Sequence, residues 1–212
     1  MFLKRCLIPF CMLSLLTLAA VADNNAPGGN VTGTSDLTPV ESQIELLTEI
    51  TPNVKTVGLL YCSSEQNSVF QINIAKKKLD AMGIKYIDIA ISNLNEIQQV
   101  IQNVIGKVEA IYTPTDNMIA NGMATVALMT EPAKLPVICG EGGMTMLGGT
   151  ATYGINYYEL GKLTSTQAVS ILKGDKKTAE MPIEYLQKFD LVVNTNMIES
   201  IGLTIPESLY NK

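Results

Sequence analysis

The 212-residue chain predicts an α/β fold, a doubly wound parallel sheet with helices on both faces. Three observations predict it. Apolar runs of strand length alternate with segments whose apolar residues recur at helical spacing. The strand runs are continuously apolar rather than alternating, as expected for strands covered on both sides. The connections between them are short, so successive strands are joined by helical crossovers and run parallel. Hydrophobic residues make up 47% and charged residues 17%, enough apolar material for a core.

The elements follow in order. Residues 23–36 (DNNAPGGNVTGTSD) are turn formers and read as an irregular entry segment. Glu41–Ile50 is helical, and Lys55–Tyr61 is the first buried strand. Ser68 with Gln71 three positions on forms a capping box that opens a helix, with Ile72, Ala75, Leu79 and Met82 as its core face. Gly83 stops it. Lys85–Ile91 is the next strand, and Asn93 or Asn95 caps a helix with an inner stripe of Ile97, Ile101, Val104 and Ile105. A strand at Ala110–Thr113, a helix at Asn117–Met129 and a strand at Pro136–Cys139 complete the regular run. Beyond it lie a strand at Thr150–Asn156, a helix at Tyr157–Leu172, and strands at Met181–Tyr185 and Leu191–Asn194.

Composition excludes several kinds of chemistry. Histidine is absent, so no Ser-His-Asp or Cys-His relay and no His-liganded metal can be built. The sequence calls for no cofactor. A formal charge of −5 and a pI near 4.8 argue against a nucleic-acid partner, whose phosphates require a basic surface. At the N-terminus, Lys4 and Arg5 precede an apolar run from Cys6 to Ala22 that ends Ala20-Val21-Ala22. That is the layout of a secretory signal peptide over residues 1–22, and it predicts export, with the leader cleaved or kept as a tether. Of the cysteines outside the leader, Cys62 and Cys139 close apolar runs that read as adjacent strands. They could pair if their Cα atoms fell within about 7 Å, but two buried thiols are the simpler expectation.

Function is expected where strands hand over to helices, because free N–H groups of helix N-termini collect along that edge of a parallel sheet. Three handovers are polar: Ser63-Ser64-Glu65-Gln66-Asn67-Ser68, Pro114-Thr115-Asp116-Asn117 and Gly140-Glu141-Gly142-Gly143-Met144-Thr145. Ser63, Ser64, Glu65, Asn67, Ser68, Thr115, Asp116, Asn117 and Glu141 are the candidate ligand-binding residues. The same residue types are ordinary helix caps, and that reading carries similar weight. The glycine cluster lacks both the dinucleotide spacing and the lysine of a phosphate loop. Carboxylates beside hydroxyls suit a zwitterion: carboxylate for an ammonium, hydroxyl and N–H for a carboxylate. Phe70, Tyr61, Tyr112 and Tyr153 are the candidate stacking rings, each equally at home in a core.

Four ordered motifs, PGGNVTGTSD (27–36), YCSSEQNS (61–68), YTPTDN (112–117) and TYGINYYELG (152–161), resemble the ABC-transporter substrate-binding family that includes tryptophan and other aromatic amino-acid binders. The resemblance covers about residues 26–210. It implies the type I periplasmic-binding-protein fold, an amino-acid-like ligand passed to an ABC permease, and no chemistry of its own. It also implies that Ser63, Ser64, Asn67, Thr115, Asp116 and Glu141 face the cleft from one lobe, with Thr34-Ser35-Asp36 at a crossover.

Members of that family carry most of a further lobe before the PGGNVTG segment, whereas here the leader runs almost straight into it. The expected organisation is therefore an α/β ligand-binding lobe over 37–156 and a segment, 157–212, crossing to a largely missing first lobe. A truncated form is expected to expose an apolar patch over 157–190 and to be poorly soluble. The competing readings are a ligand-sensing regulator domain and a Rossmann-like enzyme; the latter lacks a nucleotide fingerprint and a nucleophile elbow.

Overall fold

A computed structural model describes residues 23–211, so the predicted leader lies outside the described residues. The chain divides into two compact units, a larger one comprising Asp36–Tyr157 and the stretch from Leu186 onward, and a smaller one comprising the segment up to Ser35 together with Tyr158–Tyr185. It leaves the larger unit after Tyr157 and returns to it at Leu186.

In the smaller unit, β1 (Thr34–Ser35) pairs in parallel with the distant β7 (Glu184–Tyr185). Residues 23–33 are tied to the 178–182 segment by hydrogen bonds. Gly28 N donates to Ala179 O at 3.0 Å, Thr178 Oγ1 to Gly29 O at 3.1 Å, and Thr32 Oγ1 to Met181 O at 2.8 Å. The strand expected over Met181–Tyr185 is reduced to its last two residues. A 3-10 turn at Thr178–Glu180 precedes it, and Pro182 has no N–H to give a ladder.

The larger unit begins with α1 (Val40–Ile50), followed by β2 (Thr56–Cys62), α2 (Gln66–Ala81) and β3 (Lys85–Ile91). A 3-10 turn capped by Asn93 leads into α3 (Ile97–Val104). Then come β4 (Ala110–Thr113), α4 (Asn117–Thr130), β5 (Val137–Cys139), α5 (Gly142–Gly148) and β6 (Ala151–Gly154). Helix α6 (Tyr157–Leu172) belongs to the smaller unit except for its first residue. After β7, β8 (Asp190–Val193) and α7 (Thr195–Ile201) return to the larger unit.

The six-stranded sheet has the order β3-β2-β4-β5-β6-β8. All pairs are parallel except the last: β8 runs antiparallel to β6, with Ala151 opposite Val193 and Gly154 opposite Asp190. This pairing is what draws residues after 185 back into the larger unit. Strand β4 lies between β2 and β5, so Cys62 and Cys139 are not on adjacent strands; both are buried free thiols. Two strand spacings put them roughly 10 Å apart, beyond disulfide reach.

Side chains of β2 alternate between two apolar clusters, which explains its uninterrupted apolar sequence. Val57 and Leu59 pack with Ile44, Leu47, Ile72 and Leu79 of α1 and α2. Leu60 and Cys62 pack with Ile97, Ile101, Ile119 and Met123 of α3 and α4. Each fully buried Leu or Ile contributes about 1.5–3 kcal/mol of transfer free energy.

Two sequence expectations are corrected in these helices. Ser68 does not open α2; the helix starts at Gln66 with Glu65 as its N-cap residue, and Ser68 is fully buried inside it. Met82 is not on the core face but is the C-cap residue, 38% exposed, because Gly83 at φ +70° turns the chain away there. Helix α5 appears where the sequence reads as a polar loop.

Candidate functional site

The three polar handovers come together at the carboxyl ends of β2, β4 and β5, and their contacts are specific. Asp116, only 3% exposed, accepts from Ile119 N at 2.8 Å as the N-cap of α4. Its other oxygen accepts from Cys62 N at 2.7 Å, so one carboxylate ties the end of β2 to the start of α4. Glu65 reaches across from the β2–α2 loop to the same helix start. It accepts from Asn117 N at 3.0 Å, Asn117 Nδ2 at 2.9 Å and Met118 N at 2.9 Å. Burial by itself would raise the Glu65 pKa, but these donors outweigh it and hold the carboxyl below its ordinary value.

Asn67 Nδ2 and Ser68 Oγ both donate to Thr115 O, at 2.9 and 3.3 Å. Ser63 Oγ donates to Ile91 O at 3.3 Å, and Ser64 Oγ lies 3.1 Å from Cys62 Sγ. Glu141 caps α5, accepting from Gly143 N at 2.7 Å and Met144 N at 2.5 Å. The first two loops are therefore laced together by side chains, and the third joins them through backbone. Gly140 packs so tightly on the Pro114–Thr115 peptide that a Cβ there would collide with it. All nine sequence-predicted residues lie on these three loops or in the first helical turns that follow them.

Within that group exposure divides the roles. Ser63, Ser64, Asn67 and Asn117 are exposed, while Glu65, Thr115 and Glu141 are half-buried. Ser68 and Asp116 are buried with their oxygens engaged by backbone groups. The capping chemistry weighed from the sequence is thus present at Asp116, Glu141 and Glu65, the last capping a neighbouring helix.

The aromatic candidates also separate. Tyr112 is fully buried, and its hydroxyl donates to Gln43 Oε1 at 2.9 Å, so it is a core residue. Burial raises its pKa strongly, with Cys139 adding to the effect. Tyr61 and Tyr153 are half-buried against the α1–α2 side, and Phe70 is 56% exposed on α2. Tyr157, not singled out in the sequence, is 53% exposed; its pKa is raised by burial, with the negative charges of Asp36 and Glu141 adding to the effect. The Cys139 thiol is pushed up to about 12 by burial, against a hydrogen bond with Thr145 that lowers it, and is inert.

Gln43 of α1 escaped the sequence reading, and Gln71 of α2 figured in it only as a capping-box partner of Ser68. Both are buried amides, at 0% and 3% exposure, and both reach the rim. Their signal is positional: Gln43 falls on the Val40, Ile44, Leu47, Ile50 stripe, and Gln71 on the Ile72, Ala75, Leu79 stripe. Gln71 donates to Thr115 rather than reaching back to close a capping box with Ser68.

A groove of about 250 Å³ lies away from the three loops, lined by Pro39, Ser42, Glu45, Glu49, Tyr153 and Phe189. Its Glu45 is paired with Lys78 at 2.5 Å. Among the described residues no group of three or more Cys, Asp or Glu side chains could hold a metal ion, and no helix is long and apolar enough to cross a membrane.

Comparison with known proteins gives consistent results. The curated tyrosine-binding protein of Clostridioides difficile (strain R20291) is 31% identical over 177 residues, covering 84% of this chain and 51% of the relative. An ABC domain in complex with L-Trp from Streptococcus pneumonia superposes with a TM-score of 0.81 at 38% identity, covering 91% of this chain and 67% of that one. A ligand-free, open substrate-binding protein with adhesive properties from Clostridium difficile gives a TM-score of 0.77 at 36% identity, covering 88% and 63%. The chain spans about half the length of the curated relatives it matches. These likenesses bear out the type I periplasmic-binding-protein fold expected from the motifs. The family profile for ABC transporter substrate binding protein matches residues 6–212, and the chain belongs to that family.

Proposed function

We propose that this chain contributes the ligand-gripping edge of an extracytoplasmic solute-binding protein that takes an aromatic or similar amino acid and delivers it to an ABC permease. The observation that carries the reading is the gathering of three polar loops into one rim at the carboxyl edge of the sheet, the first two laced by side chains and the third packed on them at Gly140. Exposed hydroxyl and amide groups of Ser63, Ser64, Asn67 and Asn117 receive the ligand's carboxylate, and Glu141 receives its ammonium group. Ser68, Thr115 and Asp116 keep the loops in place. Glu65 contributes a second carboxylate while holding the start of α4. Export rests on the charged-apolar-small layout of residues 1–22. The smaller unit is assigned to the protein's first lobe.

The test is direct titration of the full chain. It contains no tryptophan, so indole fluorescence and its anisotropy report L-tryptophan alone. Saturable one-to-one binding of L-tryptophan, or of L-tyrosine by calorimetry, is the expected result. Absence of saturable binding to any of the common amino acids would overturn the assignment.

A further inference from the structure

We propose that the rim is shaped from behind by a pair of buried glutamines, and that Gln43 is the principal positioning residue of the site. The functional half of this inference rests on the ligand-binding reading above; the structural half stands without it. Gln43 Nε2 donates to Gly140 O at 3.0 Å, to Tyr153 O at 2.9 Å and to Thr152 Oγ1 at 3.2 Å. Its Oε1 accepts from Tyr112 OH at 2.9 Å. A single side chain from α1 therefore grips β4, β6 and the residue just beyond β5, immediately behind the handover loops.

Gln71 does the same one helix over. Its Nε2 donates to Thr115 Oγ1 and, at 3.4 Å, to Asn67 O, while its Oε1 accepts from Thr115 N and Thr38 Oγ1, each at 3.3 Å. Gly140, pinned by Gln43, presses on the Pro114–Thr115 peptide, whose Thr115 is pinned by Gln71. The two amides thus form one chain of contacts running beneath all three loops.

Only a primary amide does this work, because it donates and accepts at fixed spacing. A methionine of similar length fills the space but leaves the Gly140 and Tyr153 carbonyls and the Tyr112 hydroxyl without that partner. A glutamate accepts from Tyr112 but cannot donate twice. Pure packing would favour an apolar residue at a fully buried position on an apolar stripe. The retained amide, aimed at the ends of three strands, points to placement of the rim rather than to bulk stability.

The experiment is amide hydrogen exchange of the full chain and its Gln43→Met variant, with L-tryptophan affinity measured in parallel well below both melting temperatures. Expected is a roughly ten-fold faster exchange confined to residues 113–119 and 140–145, the scale of one lost buried hydrogen bond. Amides of α3 stay unchanged, and L-tryptophan affinity falls by ten-fold or more. Acceleration spread equally over the most protected amides, or no acceleration, overturns the positioning role. Local loosening with undiminished L-tryptophan affinity also overturns its functional half. If the unaltered chain binds no amino acid, the ligand reading fails while the exchange result still decides the structural half. Should Gln43→Met not fold, Tyr112→Phe removes only one of the four contacts and must give the same regional pattern at smaller amplitude.

Discussion

Helices α1 and α6 both carry an apolar stripe, yet the structure treats them differently. In α1, six of eleven residues are buried, with Ile44, Leu46 and Leu47 at 0% exposure. In α6, only Leu160 and Gln167 of sixteen are buried, while Tyr158 and Leu172 stand 75% and 86% exposed. The first helix has a sheet face and a neighbouring helix to cover it; the second lies in a unit held mainly by a two-residue strand pair and loop hydrogen bonds. Amphipathic periodicity makes a helix, but what that helix contributes to stability depends on whether its stripe is covered. Tyr157, Tyr158, Val169 and Leu172 are the exposed large apolar residues of α6.

Substitutions at matched leucines sharpen this contrast most. Leu47→Ala removes a fully buried side chain from the α1 face and is expected to destabilise by about 2–5 kcal/mol, lowering Tm by roughly 10 °C in a thermal melt. Asp116→Ala leaves Cys62 N and Ile119 N without their acceptor and is expected to destabilise by about 1–3 kcal/mol, read from urea unfolding. Glu65→Gln acts through pH. A carboxyl whose folded pKa is lowered stabilises fully above its unfolded value, near 4.5, and that contribution disappears as pH falls through the lower folded value. The variant is therefore expected to lose stability less steeply than the parent between about pH 5 and pH 3 in acid titrations followed by circular dichroism. Leu172→Gln should change stability by less than about 0.5 kcal/mol while improving solubility. A shift as large as that of Leu47→Ala would break the comparison, since it would mean that α6 is covered in solution.

Much of the larger unit was legible from the sequence because its signals are local and strong. Lys85–Ile91, Ala110–Thr113 and Tyr157–Leu172 have the expected bounds. Helix α5 was not legible: seven residues with glycine at three positions have poor intrinsic helix propensity, and the Glu141 cap with tertiary packing overrides it. The antiparallel direction of β8 was hidden as well, because strand direction is set by a partner some forty residues away rather than by local pattern. At the site, the loops could be located from residue type and strand ends, but the glutamines could not. An amide on an apolar stripe shows that something is being satisfied indoors without showing which carbonyls.

The late return of β8 has a consequence for synthesis. Strand β6 receives its outer partner only after the 158–185 excursion has been made, so the sheet cannot be completed while the ribosome still holds residues up to 193. Until then the growing chain presents Ala151–Gly154 as an open edge, and a nascent protein stalled in that interval would be a substrate for chaperones rather than a finished lobe.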